Sequence, residues 1–144
     1  MNSKNIVKLF VVDDDEMYLK LVEIEFLQYP TFTLETYATG ELCVENLSHK
    51  PDLIILDYHL NGIEKNAMNG IQTLDKIKAI NPYIPVVILS SQDRIEVAIN
   101  CLHHKAYDYI VKSETAFIRL QKVIATIFHT NKIENALEWY MEKM

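Results

Sequence analysis

No stretch of this chain is apolar for long enough to cross a bilayer or to direct secretion. The N-terminal MNSKNIVKLFVVDDD holds only a short apolar run that ends in acids, whereas a membrane span needs about 20 apolar residues. Cysteine is scarce: Cys43 and Cys101 are the only two, both inside helical patterns and without metal-ligand spacing. That argues against a disulfide framework and fits a reducing cytosol. There is no Gly-, Ser- or Pro-rich tract to serve as a linker, no internal repeat and no low-complexity segment. A basic stripe is missing too, and the formal net charge is −6. A surface that neutralises nucleic-acid phosphates needs such a stripe, so direct nucleic-acid binding is not expected. What remains is a cytoplasmic globular chain of 144 residues, 49% of them hydrophobic, enough for one sizeable core.

The apolar residues alternate between two periods. Short β-branched runs occupy Val7–Val12, Phe32–Tyr37, Leu53–Leu56, Val86–Leu89 and Tyr107–Val111, with helical spacing between them. The first helical stretch carries Leu19, Val22, Ile24 and Phe26, and the second Leu42 and Leu47. The third carries Ile71, Leu74, Ile77 and Ile80, and the fourth Ile95, Ala98, Ile99 and Leu102; the last begins near Glu114. LIIL and VVIL have no polar face, which predicts strands buried on both sides, as in parallel sheets covered by helices. Five alternations of strand and helix predict a doubly wound α/β domain. Pro30, Pro51, Asn81-Pro82 and Pro85 precede or open strands, and Thr39 and Asn69 suit helix N-caps.

In such folds the loops at the carboxyl ends of the strands carry the chemistry. The first strand here ends in Asp13, Asp14, Asp15 and Glu16, the third in Asp57, the fourth in Ser90 and Ser91, the fifth in Lys112. Clustered carboxylates repel and call for a cation. One or two of them, with waters and a phosphate, suit Mg²⁺. A lysine at the same edge binds phosphate as a point charge, and a serine hydroxyl can bond a phosphoryl oxygen. Asp57, alone at its strand end, is the candidate nucleophile, since carboxylates form acyl phosphates. Asp15 and Glu16 read as helix-start charges.

VVDDDE, PDLIILDYHL, VVILSSQD and AYDYIVK, in this order and spacing, resemble the receiver domain of two-component response regulators, over roughly residues 5 to 128. The resemblance implies a CheY-like (flavodoxin-like) five-stranded sheet of order 2-1-3-4-5 with helices on both faces. It implies Asp57 as phosphoacceptor, Asp13 and Asp14 as the acidic Mg²⁺ pair, and the backbone carbonyl of His59 as a further metal ligand. Lys112 then matches the family's lysine, Ser90 its switch hydroxyl and Tyr109 its switch aromatic. The side chains of His59 and Gln92 fall where the family tunes phosphate lifetime. The phosphoryl donor is expected to be a sensor histidine kinase or a histidine phosphotransfer protein. The output is expected through the face of the fourth helix, fifth strand and fifth helix, toward an effector protein or a second copy in a homodimer.

Three departures stand out. Asn61–Asn66 lengthens the loop between Asp57 and the Met68-Asn69-Gly70 turn. Ser113 replaces the proline that usually follows the lysine and whose preceding bond is typically cis. Lys105 stands where glycine is frequent, before Ala106.

Residues 1–130 are expected to form the receiver, and 131–144 a C-terminal helical extension with no output domain. The fifth helix carries an apolar stripe at Phe117, Leu120, Ile124 and Ile127. After His129-Thr130-Asn131 a second stripe follows at Ile133, Leu137, Tyr140, Met141 and Met144; it can extend the helix, fold back, or bind a partner or second copy. His103 and His104 read as surface residues. The expected protein is a switch that catalyses only its own phosphotransfer and slow autodephosphorylation. The competing reading is a phosphorylation-independent pseudo-receiver, which the full Asp, Ser and Lys set disfavours. A haloacid-type phosphatase needs an Asp-x-Asp motif, and His59 stands at the second of those positions.

Overall fold

The computed structural model describes residues 6–143, with side chains described for residues 6–129. The chain divides into two units, Met1–Lys112 and Ser113–Met144.

The first unit runs β1 (Val7–Val12), α1 (Glu16–Leu27), β2 (Phe32–Tyr37), α2 (Gly40–Glu45), a 3-10 turn (Leu47–His49) and β3 (Leu53–Leu56). It continues through α3 (Gly70–Ile80), β4 (Val86–Ser90), α4 (Ile95–His103) and β5 (Asp108–Val111). The strands pair in parallel in the order β2-β1-β3-β4-β5, the doubly wound topology that the alternating periods and the family resemblance predict. Every residue of β3 and β4 is buried, because both strands lack a polar face. Phe10, Val12, Ile54, Leu56, Val86 and Ile88 form one core with Cys43 of α2, Leu74 and Ile77 of α3 and Cys101 of α4. Strand side chains alternate between faces, so Leu9, Val11, Leu53, Ile55, Val87 and Leu89 lie on the opposite face and are equally buried. Leu19, Val22 and Phe26 of α1 are buried as well. Fully burying one such side chain is worth about 1.5–3 kcal/mol.

Local chemistry fixes where the helices start. Asp15 accepts the N–H groups of Met17 and Tyr18 and caps α1, and Thr39 accepts from Leu42 to cap α2. Asn69 and Gln72 exchange side chain to backbone bonds in a capping box at α3. Leu47 does not continue α2 but belongs to the separate 3-10 turn.

α4 is the expected helix, but it is anchored differently from the others. Its N-cap residue Arg94 makes no side-chain cap bond, and Ile95, Ile99 and Leu102 are exposed. The apolar stripe at those positions is real, but it does not face the core. Cys101 does, with Val97 one turn before it packed partly against the core. Periodicity identifies an apolar side of a helix, not what covers it. The helix closes with Ala106 N–H bonded to Cys101 O and Lys105 N–H to Leu102 O, around Lys105 at φ 79°. This Schellman geometry places Lys105 at a left-handed position that glycine fills most readily. His104 is not simply a surface residue: its Nδ1 lies 2.8 Å from Asp75 Oδ1 of α3.

The second unit carries one helix, α5 (Ala116–Lys143). Ala116, Leu120, Ile124 and Ile127 are its buried residues, close to the expected stripe. No break occurs at His129–Asn131; the helix runs through it. The side chains of Ile133, Leu137, Tyr140 and Met141, and the whole of Met144, lie outside the described residues. Among the described residues no peptide bond is cis, so the bond before Ser113 is trans.

Candidate functional site

Three backbone hydrogen bonds place the reactive groups. Asp57 follows β3, and its N–H donates to Val12 O at 2.9 Å; Asp13 follows β1, and its N–H donates to Tyr37 O at 3.1 Å. Lys112 follows β5 and donates its N–H to Ser90 O at 2.7 Å. Residues distant in sequence therefore meet at one sheet edge. Asp13, Asp14 and Asp57 each offer a carboxylate oxygen, and these oxygens lie within 4.8 Å of one another. Asp13 and Asp57 are buried and Asp14 is half-buried.

Lys112 brings a cation to this cluster. Lys112 Nζ lies 2.7 Å from Asp13 Oδ2 and 3.6 Å from Asp57 Oδ1, and 4.2 Å from the centroid of the Tyr18 ring. The negative charge is under-compensated. Burial, followed by the nearby Asp13 carboxylate, pushes the Asp57 carboxyl up to about 7, against the opposing pull of Lys112. Burial and the same two carboxylates push the Tyr18 hydroxyl up to about 12. A hard divalent cation relieves such a cluster, and an all-oxygen donor set suits Mg²⁺.

The loops around the acids are held closely. Gly70 donates its N–H to Tyr58 O at 2.9 Å. A Cβ there would come within 2.5 to 2.7 Å of Tyr58 O, Asp57 O and Tyr58 Cα, so only glycine lets α3 start against the end of β3. Gly62, in the lengthened loop, donates its N–H to Asp14 Oδ2 at 3.2 Å. Glu41 Oε2 accepts the Met68 N–H at 2.8 Å. Beside Asp14 lies a groove of about 960 Å³, with apolar walls that include Met17, Leu42 and Ile63 and carboxylates from Glu16 and Glu64.

Ser90 and Tyr109 form a second group. Ser90 is fully buried, and its Oγ accepts the Gln92 N–H at 3.1 Å. The Tyr109 hydroxyl donates to Gln92 O at 2.6 Å; burial raises its pKa, and a hydrogen bond with Ser90 opposes that rise. Gln92 thus engages both residues through its backbone, where the family resemblance pointed to its side chain. The His59 side chain is exposed, edge-on to the Tyr58 ring at 5.0 Å between centroids, and makes none of the contacts that join the acids. The sequence reading missed Tyr18 and Gly62. Tyr18 is one turn beyond the acids, a spacing that gives a hint only once the helix start at Glu16 is known. Cys43 and Cys101 are buried thiols whose pKa burial pushes up to about 12 and about 11.

A doubly wound sheet of this strand order, with three acids and a lysine at its carboxyl edge, defines the receiver class. Residues 9–138 match the model of the response regulator receiver domain, and the chain belongs to that family. An NtrX-like response regulator of Rickettsia bellii is 33% identical over 109 residues, which is 75% of this chain and 22% of that protein. The transcriptional regulatory protein ZraR of Escherichia coli strain K12 is 29% identical over 132 residues, 89% of this chain and 28% of that protein. The chain therefore spans roughly a quarter of the length of these relatives. A chain of the solved CheX-CheY-BeF3-Mg²⁺ complex from Borrelia burgdorferi shares the fold at TM-score 0.71 and 22% identity, covering 88% of this chain and 98% of that one. Among the described residues no helix is long and apolar enough to cross a membrane.

Proposed function

We propose that this receiver is a phosphoacceptor switch of a two-component phosphorelay, with Asp57 as the acceptor. A carboxylate oxygen of Asp57 attacks the phosphorus of a phosphohistidine; the P–N bond breaks, and the freed imidazole takes up a proton. Asp13, Asp14, Asp57 and the backbone carbonyl of His59 are the residues that would hold Mg²⁺. When bound, Mg²⁺ supplies the positive charge that three carboxylates and an incoming phosphoryl group require. Lys112, already 3.6 Å from Asp57, can pair with a phosphoryl oxygen once transfer has occurred. The observation that carries this reading is the burial of Asp57 among acids that one lysine does not neutralise.

The donor, a histidine kinase or histidine phosphotransfer protein of the cytoplasm, approaches over the groove beside Asp14. Ser90 and Tyr109, joined through Gln92, pass the change to the β4–α4 loop. The exposed Ile95, Ile99 and Leu102 of α4, with the half-exposed Tyr107 before β5, offer an effector or second copy an apolar surface. The protein turns over no substrate other than its own acyl phosphate.

Acetyl phosphate with Mg²⁺ tests the reading. Mass spectrometry should find one added phosphoryl group in the native chain and none in Asp57→Asn; labelling that persists in Asp57→Asn refutes the assignment. A native chain that never labels, yet still binds a partner, points instead to a phosphorylation-independent module.

A further inference from the structure

The Lys112 ammonium is bounded on three sides: Asp13 Oδ2 at 2.7 Å, Asp57 Oδ1 at 3.6 Å and the face of Tyr18 at 4.2 Å. Tyr18 is not placed there independently. Its N–H is bonded to the cap residue Asp15, and the Asp15 N–H is bonded to Asp13 Oδ1. The ring and the carboxylate that both touch Lys112 therefore belong to one hydrogen-bonded frame. A lysine ammonium sits on a flexible four-carbon stem and follows whatever attracts it. An aromatic face attracts it without consuming an N–H in a strong hydrogen bond. A carboxylate at the same place would instead add negative charge to a cluster that already has too much.

We infer that Tyr18 is a positioning residue for phosphoryl transfer. Its ring holds the Lys112 ammonium beside Asp57, with donor capacity to spare for the arriving phosphoryl oxygens. The inference rests on Asp57 being the phosphoacceptor and goes beyond it, because it makes the transfer rate depend on an aromatic ring through the lysine that the ring faces.

Three variants decide it. Tyr18→Phe keeps the ring face and removes the hydroxyl; labelling by acetyl phosphate should stay within about twofold of native. Tyr18→Leu keeps bulk and removes the face; labelling should slow by about 3- to 30-fold, the range that loss of a partly buried cation–π contact implies. In a Lys112→Gln background the Leu change should have no further effect, since the ring then has no cation to hold. A separate readout needs no metal and no phosphate. The ring current of Tyr18 should shift the Lys112 ε-methylene protons upfield in the native protein and in Tyr18→Phe, and not in Tyr18→Leu.

Equal labelling by the Leu and Phe variants overturns the inference, as does an undiminished Leu effect in the Lys112→Gln background. Absence of the upfield shift in the native protein overturns it without any variant, so a poorly folding Leu chain does not leave the matter open. The two readings fail differently. A native chain that does not label sinks the phosphoacceptor role, and the positioning role with it, while the ring-current shift still reports the contact. Normal labelling with no Leu effect sinks the positioning role alone.

Discussion

β3 with α3 and β4 with α4 are successive strand-helix units of the same sheet, and in sequence their helices carry apolar stripes of the same kind. They are built for different ends. α3 begins with a capping box and presses Gly70 against the backbone of Asp57 and Tyr58. It buries Thr73, Leu74 and Ile77 completely. α4 begins without a side-chain cap and buries only Cys101. It turns Ile95, Ile99 and Leu102 outward. The β3–α3 pair is closely anchored where it holds Asp57. The second has fewer anchors and ends in the Lys105 turn. A helix with few buried contacts opens at lower free energy than one packed over its length, so α4 should open more readily than α3.

The sharpest way to break this comparison is to cut matching side chains from the two helices. Leu74→Ala should cost about 3 kcal/mol of stability, read by urea unfolding, because the site is fully buried. Ile99→Ala, at a half-exposed position, should cost less than about 0.5 kcal/mol. Equal losses would mean that α4 is as well anchored as α3.

Next in size is the acid at the end of β3. The folded-state pKa of Asp57 lies above its unfolded value, so between the two the native state binds more protons than the unfolded state. Stability falls as pH rises through that window, and the full cost is present above about pH 7. In metal-free protein at pH 8, Asp57→Asn should therefore raise stability by about 2 kcal/mol, with no gain at pH 4. Mg²⁺ should stabilise the native chain at pH 8 and have a smaller effect on the variant, as thermal melts would reveal.

A small expected effect concerns the end of α4. Lys105→Gly relieves a left-handed lysine but adds freedom to the unfolded chain, so the net gain should be about 0.5 kcal/mol. A loss of stability would indicate that the Lys105 side chain supports the turn.

These contrasts also explain what could be read in advance. LIIL and VVIL had to be doubly buried strands, since neither has a face that water could accept. Asp15, Thr39 and Asn69 announced three helix starts through local bonds to the next few residues. The meeting of Asp13, Asp14, Asp57 and Lys112 followed from parallel topology alone. The α4 stripe marked a helix but not what covers it, because an amphipathic period has no sign: it looks the same whether the apolar side faces a sheet or a partner. Tyr18 over Lys112 and Gly62 on Asp14 were invisible for another reason. Each joins residues far apart in the chain, without a motif to mark it. Lys105 stands out in the sequence, but only its φ of 79° shows what the position demands.

The order of the strands has one more consequence, which concerns reach. Neighbouring strands lie about 4.8 Å apart. β1 and β3 are adjacent, so Asp13 and Asp57 can meet with the short stem of aspartate. β5 is two strands from β3, about 10 Å away by the same spacing. A charge sent from there needs a long arm, and lysine provides one. The lengths of the side chains at this site thus repeat the spacing of the ladder beneath them. Shortening position 112 would strand its charge in a gap that no rotation of the side chain could close.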